Sequence, residues 1–385
     1  RMKAPEVSIQ EAPGLYGTIH LDERLIQRIW QEGNFIQQSL ISTKGKSLKV
    51  IDCGKWNLSE EGPDFKRAII EVDQQVLHGD VELHFNEMDW NIHGHARDPA
   101  YDRVILHVVL FPSRKKTLIK NSKGLNIHTL VLLPHLYASL EEYAEEQAVM
   151  GLSGKKTGIR PPEKLPKNIS GLRESAHLRW VAKSRHAQTR IKAMGWENAC
   201  HRWFLEVLGY ARNRSPMARI AQRVGIQDWR NGVCPEEVFQ TEDGWKIRGC
   251  RPNNHPKKRL EQYSQLINQR PDWPERLKTL DLGGMYSSKK VQNRKTLGMK
   301  EKEQDWQKLV MGDAFGGTRL HTLMVDAALP LWTSVNEDAF EVWFHWKVGD
   351  IPACYRRWAK EAGLTNRKNP FGNGIAQGIL HAALK

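Results

Sequence analysis

Residues 62–84 constrain this chain more than any other stretch, because they read as two strands joined by a tight turn. β-Branched and apolar side chains dominate residues 68–72 and 76–85, which is typical of strands. Asp73, Gln74 and Gln75 lie between the two runs and predict a turn. A connection this short makes the two strands antiparallel neighbours in one sheet.

Acidic residues and a histidine converge at the end of this hairpin that lies away from the turn. Counting back from the turn places Asp64 roughly opposite His84, with Glu82 one diagonal step away, and cross-strand neighbours are about 5 Å apart. Glu82 and His84 are two residues apart on a strand, so their side chains point to the same face. Carboxylates this close repel each other unless a cation lies between them, which predicts a divalent metal site. The alternative is a surface hairpin whose polar residues are solvated.

The formal net charge of +14 is carried by the second part of the chain. Residues 1–150 contain 17 Lys and Arg against 21 Asp and Glu, whereas residues 151–385 contain 41 against 23. A basic region of this kind is typical of a protein that binds a polyanion, most often nucleic acid. The alternative is a basic surface that only keeps the protein in solution.

Length and cysteine usage place the chain among intracellular proteins of more than one domain. A chain of 385 residues can build two domains, each with its own core. No run approaches the roughly 18 apolar residues of a membrane span, and no secretory signal pattern is present. The five cysteines are scattered and include no Cys-x-x-Cys pair, which fits the reducing cytoplasm.

The order of predicted elements indicates a small α/β core followed by helices. Asp22 is a helix N-cap and Gly33 ends that helix, which carries apolar residues at helical spacing. A strand over residues 48–52, the hairpin and a continuous apolar strand over residues 103–111 follow. Residues 151–171 are rich in Gly, Pro and Lys and predict a linker. We therefore expect an α/β domain over residues 18–150 and a basic, mostly helical domain over residues 172–385.

Pro63-Asp64 on one strand and Glu82-Leu83-His84 on the next resemble the PD-(D/E)XK nuclease superfamily, with His84 at the position usually held by lysine. This resemblance covers about residues 20–112 and implies an α/β (α+β) restriction-endonuclease-like core with a mixed sheet. Separately, the string GPDF…GDVELH…DW..HGH..DPAY..VILHVV, with RPNNHPKKRL further on, resembles a bacterial family of domains of unknown function, family 2851. The second resemblance covers most of the chain and implies no activity.

The nuclease resemblance implies a role for each matching residue. Asp64 and Glu82 resemble the carboxylates that bind Mg²⁺ or Mn²⁺, with the Leu83 carbonyl oxygen as a further ligand, and Glu23 resembles an acidic residue supplied by the first helix. A metal-bound water would be the nucleophile. His84 would orient this water or act as the general base. Lys66, two residues after Asp64, is an alternative as a migrated lysine.

The histidines allow a second interpretation. His84, His93, His95 and His107 could form a nitrogen-rich site for Zn²⁺ or another transition metal. Because Asp64 and Glu82 favour a hard ion, we rank His93 and His95 first as phosphate contacts or as residues that support the ligands. His107 lies inside an apolar strand, where a histidine is most often a hydrogen-bonded core residue.

These observations predict a metal-dependent phosphodiesterase that acts on nucleic acid, with DNA favoured over RNA. The alternatives are a catalytically inactive binding protein with a nuclease-like core, and a histidine-based zinc hydrolase. Basic side chains of the second domain are expected to contact phosphates. They are Arg179, Lys183, Arg185, Arg251, Lys257, Lys258 and Arg259.

Overall fold

The computed structural model describes residues 9–14, 17–58, 61–113, 118–140, 142–144, 168–248, 250, 252–283, 293–349, 351, 353–366 and 370–383. The chain divides into two compact units, Arg1–Ala144 and Glu145–Lys385. Most of the predicted linker, residues 151–167, lies outside the described residues. The first unit is a mixed α/β structure and the second is helical, as predicted at that coarser level.

The first unit is built mainly from strands. Its elements are β1 (Ile9–Gly14), β2 (Gly17–Asp22), α1 (Glu23–Glu32), β3 (Leu40–Ile41), β4 (Ser47–Asp52), β5 (Lys55–Trp56), β6 (Phe65–Val72), β7 (Gln75–His84), α2 (Asp89–Ile92), β8 (Val104–Val109) and β9 (His128–Val131). Short 3₁₀ helices cover His95–Arg97, Pro99–Tyr101 and Leu133–His135.

Seven of these strands form one mixed sheet. Its order is β3-β4-β6-β7-β8-β9, and β5 pairs with β6. The pairs from β3 to β7 are antiparallel, whereas β7, β8 and β9 run parallel. The backbone N–H of Thr43 donates to the carbonyl oxygen of Thr129 over 2.9 Å, which links the two ends of the sheet. The sheet is therefore nearly closed.

Helix α1 begins and ends where the sequence predicts. The Asp22 carboxylate accepts a hydrogen bond of 2.9 Å from the N–H of Leu25, and Gly33 ends the helix in the left-handed conformation at φ 56°. The buried side chains include Leu25, Ile29 and Trp30, which belong to the core beneath the sheet. The N-cap and the apolar spacing thus fix both the bounds of α1 and its buried face.

The register of the β6–β7 hairpin corrects the predicted pairing of Asp64 with His84. The turn consists of Asp73 and Gln74, both at positive φ, so Val72 pairs directly with Gln75. A bulge then shifts the register between Phe65 and Ala68, and Phe65 pairs with Val81. The shorter turn and the bulge each move the pairing by one residue, so Asp64 lies opposite Glu82 instead of His84.

The second unit contains helices and one continuous apolar core. Its α-helices are α3 (Ile169–Met194), α4 (Trp196–Leu208), α5 (Tyr210–Arg223), α6 (Ile226–Arg230), α7 (Pro235–Gln240), α8 (Pro256–Gln269), α9 (Trp273–Thr279), α10 (Met299–Asp305), α11 (Gly317–Leu323), α12 (Leu329–Thr333), α13 (Phe340–His345), α14 (Ala353–Glu361) and α15 (Asn373–Ala383), with π-helical turns at Trp306–Met311 and Met324–Ala328.

Gly79 allows β7 to approach β8. A Cβ atom at this position would lie 2.4 Å from the carbonyl oxygen of Arg103 and 2.5 Å from a side-chain carbon of Ile105. We expect Gly79→Ala to lower the free energy of unfolding by about 3 kcal/mol, because backbone has to move to relieve the overlap. Urea unfolding followed by circular dichroism measures this change.

Gly316→Ala is the control for this substitution, because Gly316 has an ordinary φ of −145° and no atom lies within 4 Å of the added Cβ. Because Gly316 is the N-cap of α11 and alanine is a poorer N-cap than glycine, the substitution should lower the free energy of unfolding by no more than about 1 kcal/mol. Equal stabilities for the two variants would contradict the close approach of β7 to β8.

Candidate metal centre

Asp64 and the Glu82–Leu83 segment are joined by reciprocal hydrogen bonds at the end of the hairpin. The backbone N–H of Asp64 donates to Glu82 Oε2 over 2.9 Å, and the N–H of Leu83 donates to Asp64 Oδ2 over 3.0 Å. The other carboxylate oxygen of Asp64 accepts a hydrogen bond of 2.6 Å from Gln27 Nε2 on α1. Two strands and a helix therefore hold the two acidic residues side by side.

Burial disfavours the ionised form of both carboxyl groups. The Glu82 residue is only 6% exposed, and its burial raises the pKa of the carboxyl group to about 8, with the charge of Glu23 adding to the effect. Burial also raises the pKa of Asp64 well above its ordinary value, and the charges of Glu82 and Glu23 raise it further. A positive charge between these groups would relieve the repulsion.

Two histidines lie beside the other oxygen of Glu82, and two more contact His84. Glu82 Oε1 lies 3.5 Å from His84 Nε2 and 3.4 Å from His95 Nε2. His84 Nε2 is 3.1 Å from His93 Nδ1, and His84 Nδ1 is 2.9 Å from His107 Nε2. His84, His93 and His95 together place one ring nitrogen each within 4.8 Å of the others. The carboxylates and the imidazoles thus form one continuous polar cluster.

The buried histidines of the cluster are uncharged at neutral pH. Burial lowers the pKa of His84 well below its ordinary value, and the nearby His107, His95 and His93 lower it further. Burial also lowers the pKa of His95 to about 4 and that of His107 to about 3. A neutral imidazole keeps a nitrogen lone pair, which is what metal binding requires.

Local structure explains how residues distant in sequence meet here. His107 on β8 pairs with Glu82 in the parallel β7–β8 register. His93 follows α2 and His95 begins a 3₁₀ helix, with Gly94 between them in the left-handed conformation at φ 81°. The buried Trp90 donates from its indole N–H to the Lys120 carbonyl oxygen over 2.9 Å, which fixes α2.

Two residues of the cluster, Gln27 and Tyr101, were not identified from the sequence as part of the site. Gln27 lies one helical turn after Glu23, so the spacing on α1 could have indicated it. The Tyr101 ring stacks on His95 with a centroid distance of 3.8 Å. Tyr101 occurs in the family string as the last residue of DPAY, but the 3₁₀ segments that bring it to His95 have no periodicity that would indicate this contact.

Of the other predicted catalytic and metal-binding residues, Glu23 lies near the two carboxylates, whereas Lys66 makes no described contact with them. Glu23, at the start of α1, is close enough to influence both Asp64 and Glu82 electrostatically. Lys66 is exposed and its ammonium group lies beside Gly62. Among the described contacts, Lys66 forms no hydrogen bond or ion pair with Asp64 or Glu82, and it lies within the bulge between Phe65 and Ala68.

Several predicted phosphate-binding residues bind partners within the helical unit. Lys183 pairs with Asp326 over 2.9 Å, Lys257 pairs with Glu236, and Arg179 donates to Gln377 over 2.8 Å. Arg185 and Lys258 are exposed, and Lys258 contacts Glu261 at 3.4 Å. Arg251 lies outside the described residues.

The assignment of Arg259 to a nucleic-acid surface is corrected by its burial. The residue is 5% exposed and donates to Gln262 over 2.6 Å and to Asn254 over 2.7 Å. Its guanidinium group also lies over the Tyr210 ring. Helical periodicity turns Arg259 inward, whereas the adjacent Lys258 faces solvent.

These features define a protein of two units. One is an α/β unit with a buried carboxylate–histidine cluster, and the other is helical. The family described as "Protein of unknown function (DUF2851)" matches residues 23–242, more than half of the chain, and the chain belongs to this family. No curated protein and no solved structure matches the chain. Within the described residues, every helix is too short or too polar to cross a membrane.

The raised pKa of Glu82 predicts a specific pH dependence of stability in metal-free buffer. The folded state holds a proton on Glu82 up to about pH 8, whereas the unfolded chain releases it near the ordinary value of 4.5. The contribution of Glu82 to stability is therefore present at low pH and is lost as the pH rises through this window, by at most about 1.4 kcal/mol per pH unit.

Glu82→Gln should remove this loss. The unfolding free energy of Glu82→Gln minus that of the parent should increase from pH 5 to pH 8, because glutamine does not ionise. Urea unfolding in the presence of a chelator measures it, and Glu71→Gln on β6 is the control. A difference that does not change with pH would contradict the buried environment of Glu82.

Proposed function

We propose that this protein is a metal-dependent phosphodiesterase that cleaves nucleic acid, with DNA favoured over RNA. The observation that carries the proposal is the reciprocal pairing of Asp64 and Glu82, which holds two desolvated carboxylates next to each other. Such an arrangement is costly unless a cation is bound, and raised carboxyl pKa values mark functional sites.

The order and direction of the elements support the same proposal. Helix α1 is followed by β4, β6 and β7, which are antiparallel neighbours, and then by β8, which is parallel to β7. This agrees with the order predicted from the sequence, which is a helix, a strand over residues 48–52, the hairpin and a strand over residues 103–111. Asp64 lies immediately before β6, one residue short of the strand on which the resemblance places it, and Glu82 lies on β7 as the resemblance implies.

Asp64 and Glu82, with Glu23 at the start of α1, suit Mg²⁺ or Mn²⁺, which prefer oxygen ligands. Such an ion lowers the pKa of a bound water and so supplies the nucleophile. His84 is neutral because burial lowers its pKa, so it can accept a hydrogen bond from a water molecule, while the same burial makes its imidazole a weaker general base. Glu82 would carry its negative charge only with the cation bound. Ionisation of Glu82 and binding of the cation therefore depend on each other.

The basic helical unit would hold the substrate backbone. Residues 151–385 carry 41 Lys and Arg against 23 Asp and Glu, and Arg185 and Lys258 are exposed. Exposed basic side chains bind phosphates without reading the base sequence. The internal pairs of Lys183 and Lys257 reduce the number of cations that such a surface offers.

Asp64→Asn should abolish metal-dependent cleavage. The amide keeps one oxygen to accept from Gln27, but it loses the negative charge that a cation needs. Labelled single- and double-stranded DNA and RNA, incubated with Mg²⁺ or Mn²⁺, report the activity. Glu71→Gln is the control and should cut as the parent does. Cleavage by Asp64→Asn at the parent's rate would rule out the assignment of this site.

Charge reversal at Arg185 and Lys258 should weaken nucleic-acid binding and its salt dependence. Each lost phosphate contact should reduce the slope of log affinity against log salt by about 1. Fluorescence anisotropy in a salt series measures the slope, and Lys49→Glu, an exposed position on β4, is the control. Binding that does not depend on salt would contradict a phosphate-binding role for the helical unit.

A further inference from the structure

We infer that His84, His93 and His95, together with Glu82, form a binding site for one transition-metal ion of the zinc class. The inference rests on the arrangement of nitrogen and oxygen ligand atoms and does not require that the protein cleave nucleic acid. It concerns the histidine side of the cluster, whereas the ion proposed above concerns the Asp64 side.

The distances between the ligand atoms match those of a tetrahedral metal site. A tetrahedron with metal–ligand bonds of about 2.1 Å has edges of about 3.4 Å. His84 Nε2 lies 3.1 Å from His93 Nδ1 and 3.5 Å from Glu82 Oε1, and Glu82 Oε1 lies 3.4 Å from His95 Nε2. Three of the edges are therefore already close to the required length.

The donor set selects the class of ion. Three imidazoles and one carboxylate suit zinc and other first-row transition metals, whereas Mg²⁺ and Ca²⁺ take oxygen ligands. The histidine side of the cluster is thus suited to an ion that the Asp64 side does not favour.

Further contacts hold the ligands in place. His107 Nε2 lies 2.9 Å from His84 Nδ1, and this contact leaves His84 Nε2 facing Glu82 and His93. Such partners commonly orient histidine ligands. Stacking on Tyr101 fixes the ring of His95.

The Nε2 atom of His95 is an independent indication of a ligand. The residue is 7% exposed, and this buried nitrogen makes no hydrogen bond with any described residue, although Glu82 Oε1 is 3.4 Å away. A buried polar atom without a hydrogen bond lowers the stability of the fold. A metal ion bonded to this nitrogen would remove that penalty.

Glu82 connects the two sides of the cluster. Its Oε2 atom accepts the hydrogen bond from Asp64, and its Oε1 atom faces the histidines. The histidine site therefore needs Glu82 and does not need the Asp64 carboxylate. This difference separates the two proposals by experiment.

Calorimetric titration of the full-length, metal-free protein with Zn²⁺ tests the inference. We expect one Zn²⁺ ion per chain, and we expect His93→Ala to weaken the affinity at least about 10-fold. His93 is exposed, so its removal should leave the fold of the metal-free protein intact. Co²⁺ is a second probe, because its visible absorption is intense in a tetrahedral site and should be lost in the variant.

His78→Ala is the matched control, because His78 is an exposed histidine on the same strand as His84 and should not affect Zn²⁺ affinity. Asp64→Asn should retain Zn²⁺ affinity within a few-fold even if cleavage is abolished. Absence of stoichiometric Zn²⁺ binding, or unchanged affinity in both His93→Ala and His95→Gln, would overturn the inference. Zn²⁺ binding by a protein that cleaves no nucleic acid would instead refute the proposed hydrolysis alone.

Discussion

The reciprocal hydrogen bonds between Asp64 and the Glu82–Leu83 segment are the constraint on which the site depends. The bond from the Asp64 N–H to Glu82 Oε2 and the bond from the Leu83 N–H to Asp64 Oδ2 replace ordinary strand pairing beyond the bulge. They bring two carboxylates together in a desolvated environment, where their charges oppose each other. Protonation or a cation is needed to make this arrangement stable.

The histidines add a second type of ligand to the same cluster. Burial disfavours the charged form of an imidazole and of a carboxylate alike, so the histidines lose protons while the carboxyl groups retain them. The cluster is therefore close to neutral without metal. It offers nitrogen lone pairs on one side of Glu82 and carboxyl oxygens on the other, and this division supports the two distinct cation proposals.

The helical unit uses part of its basic composition internally. Arg190 and Glu206 form a buried bidentate pair, with both hydrogen bonds at 2.9 Å, and Arg214 contacts the same carboxylate at 3.3 Å. Removing one partner of such a pair leaves a buried charge unpaired, so these residues fix how α3, α4 and α5 pack. Net charge consequently overstates the number of cations that this unit presents to solvent.

Much of the local structure could be predicted from the sequence. Asp22 and Gly33 define α1 because capping and left-handed glycine are local effects. The apolar runs define β7 and β8 because a strand that is covered on both faces has a continuous run of apolar residues. The pairing of Asp64 with Glu82 could not be predicted, since it depends on a two-residue turn and a bulge that change the register without changing the composition.

The sequence by itself determined which residues carry the chemistry: two carboxylates and a histidine on neighbouring strands, and more histidines nearby. Tertiary structure alone decided how they are combined. It left Lys66 exposed, buried Arg259, and placed His95 beside Glu82 and His93 beside His84. The physical reason is that periodicity specifies which face of an element is buried, whereas the partner across that face depends on register, bulges and the path of irregular segments.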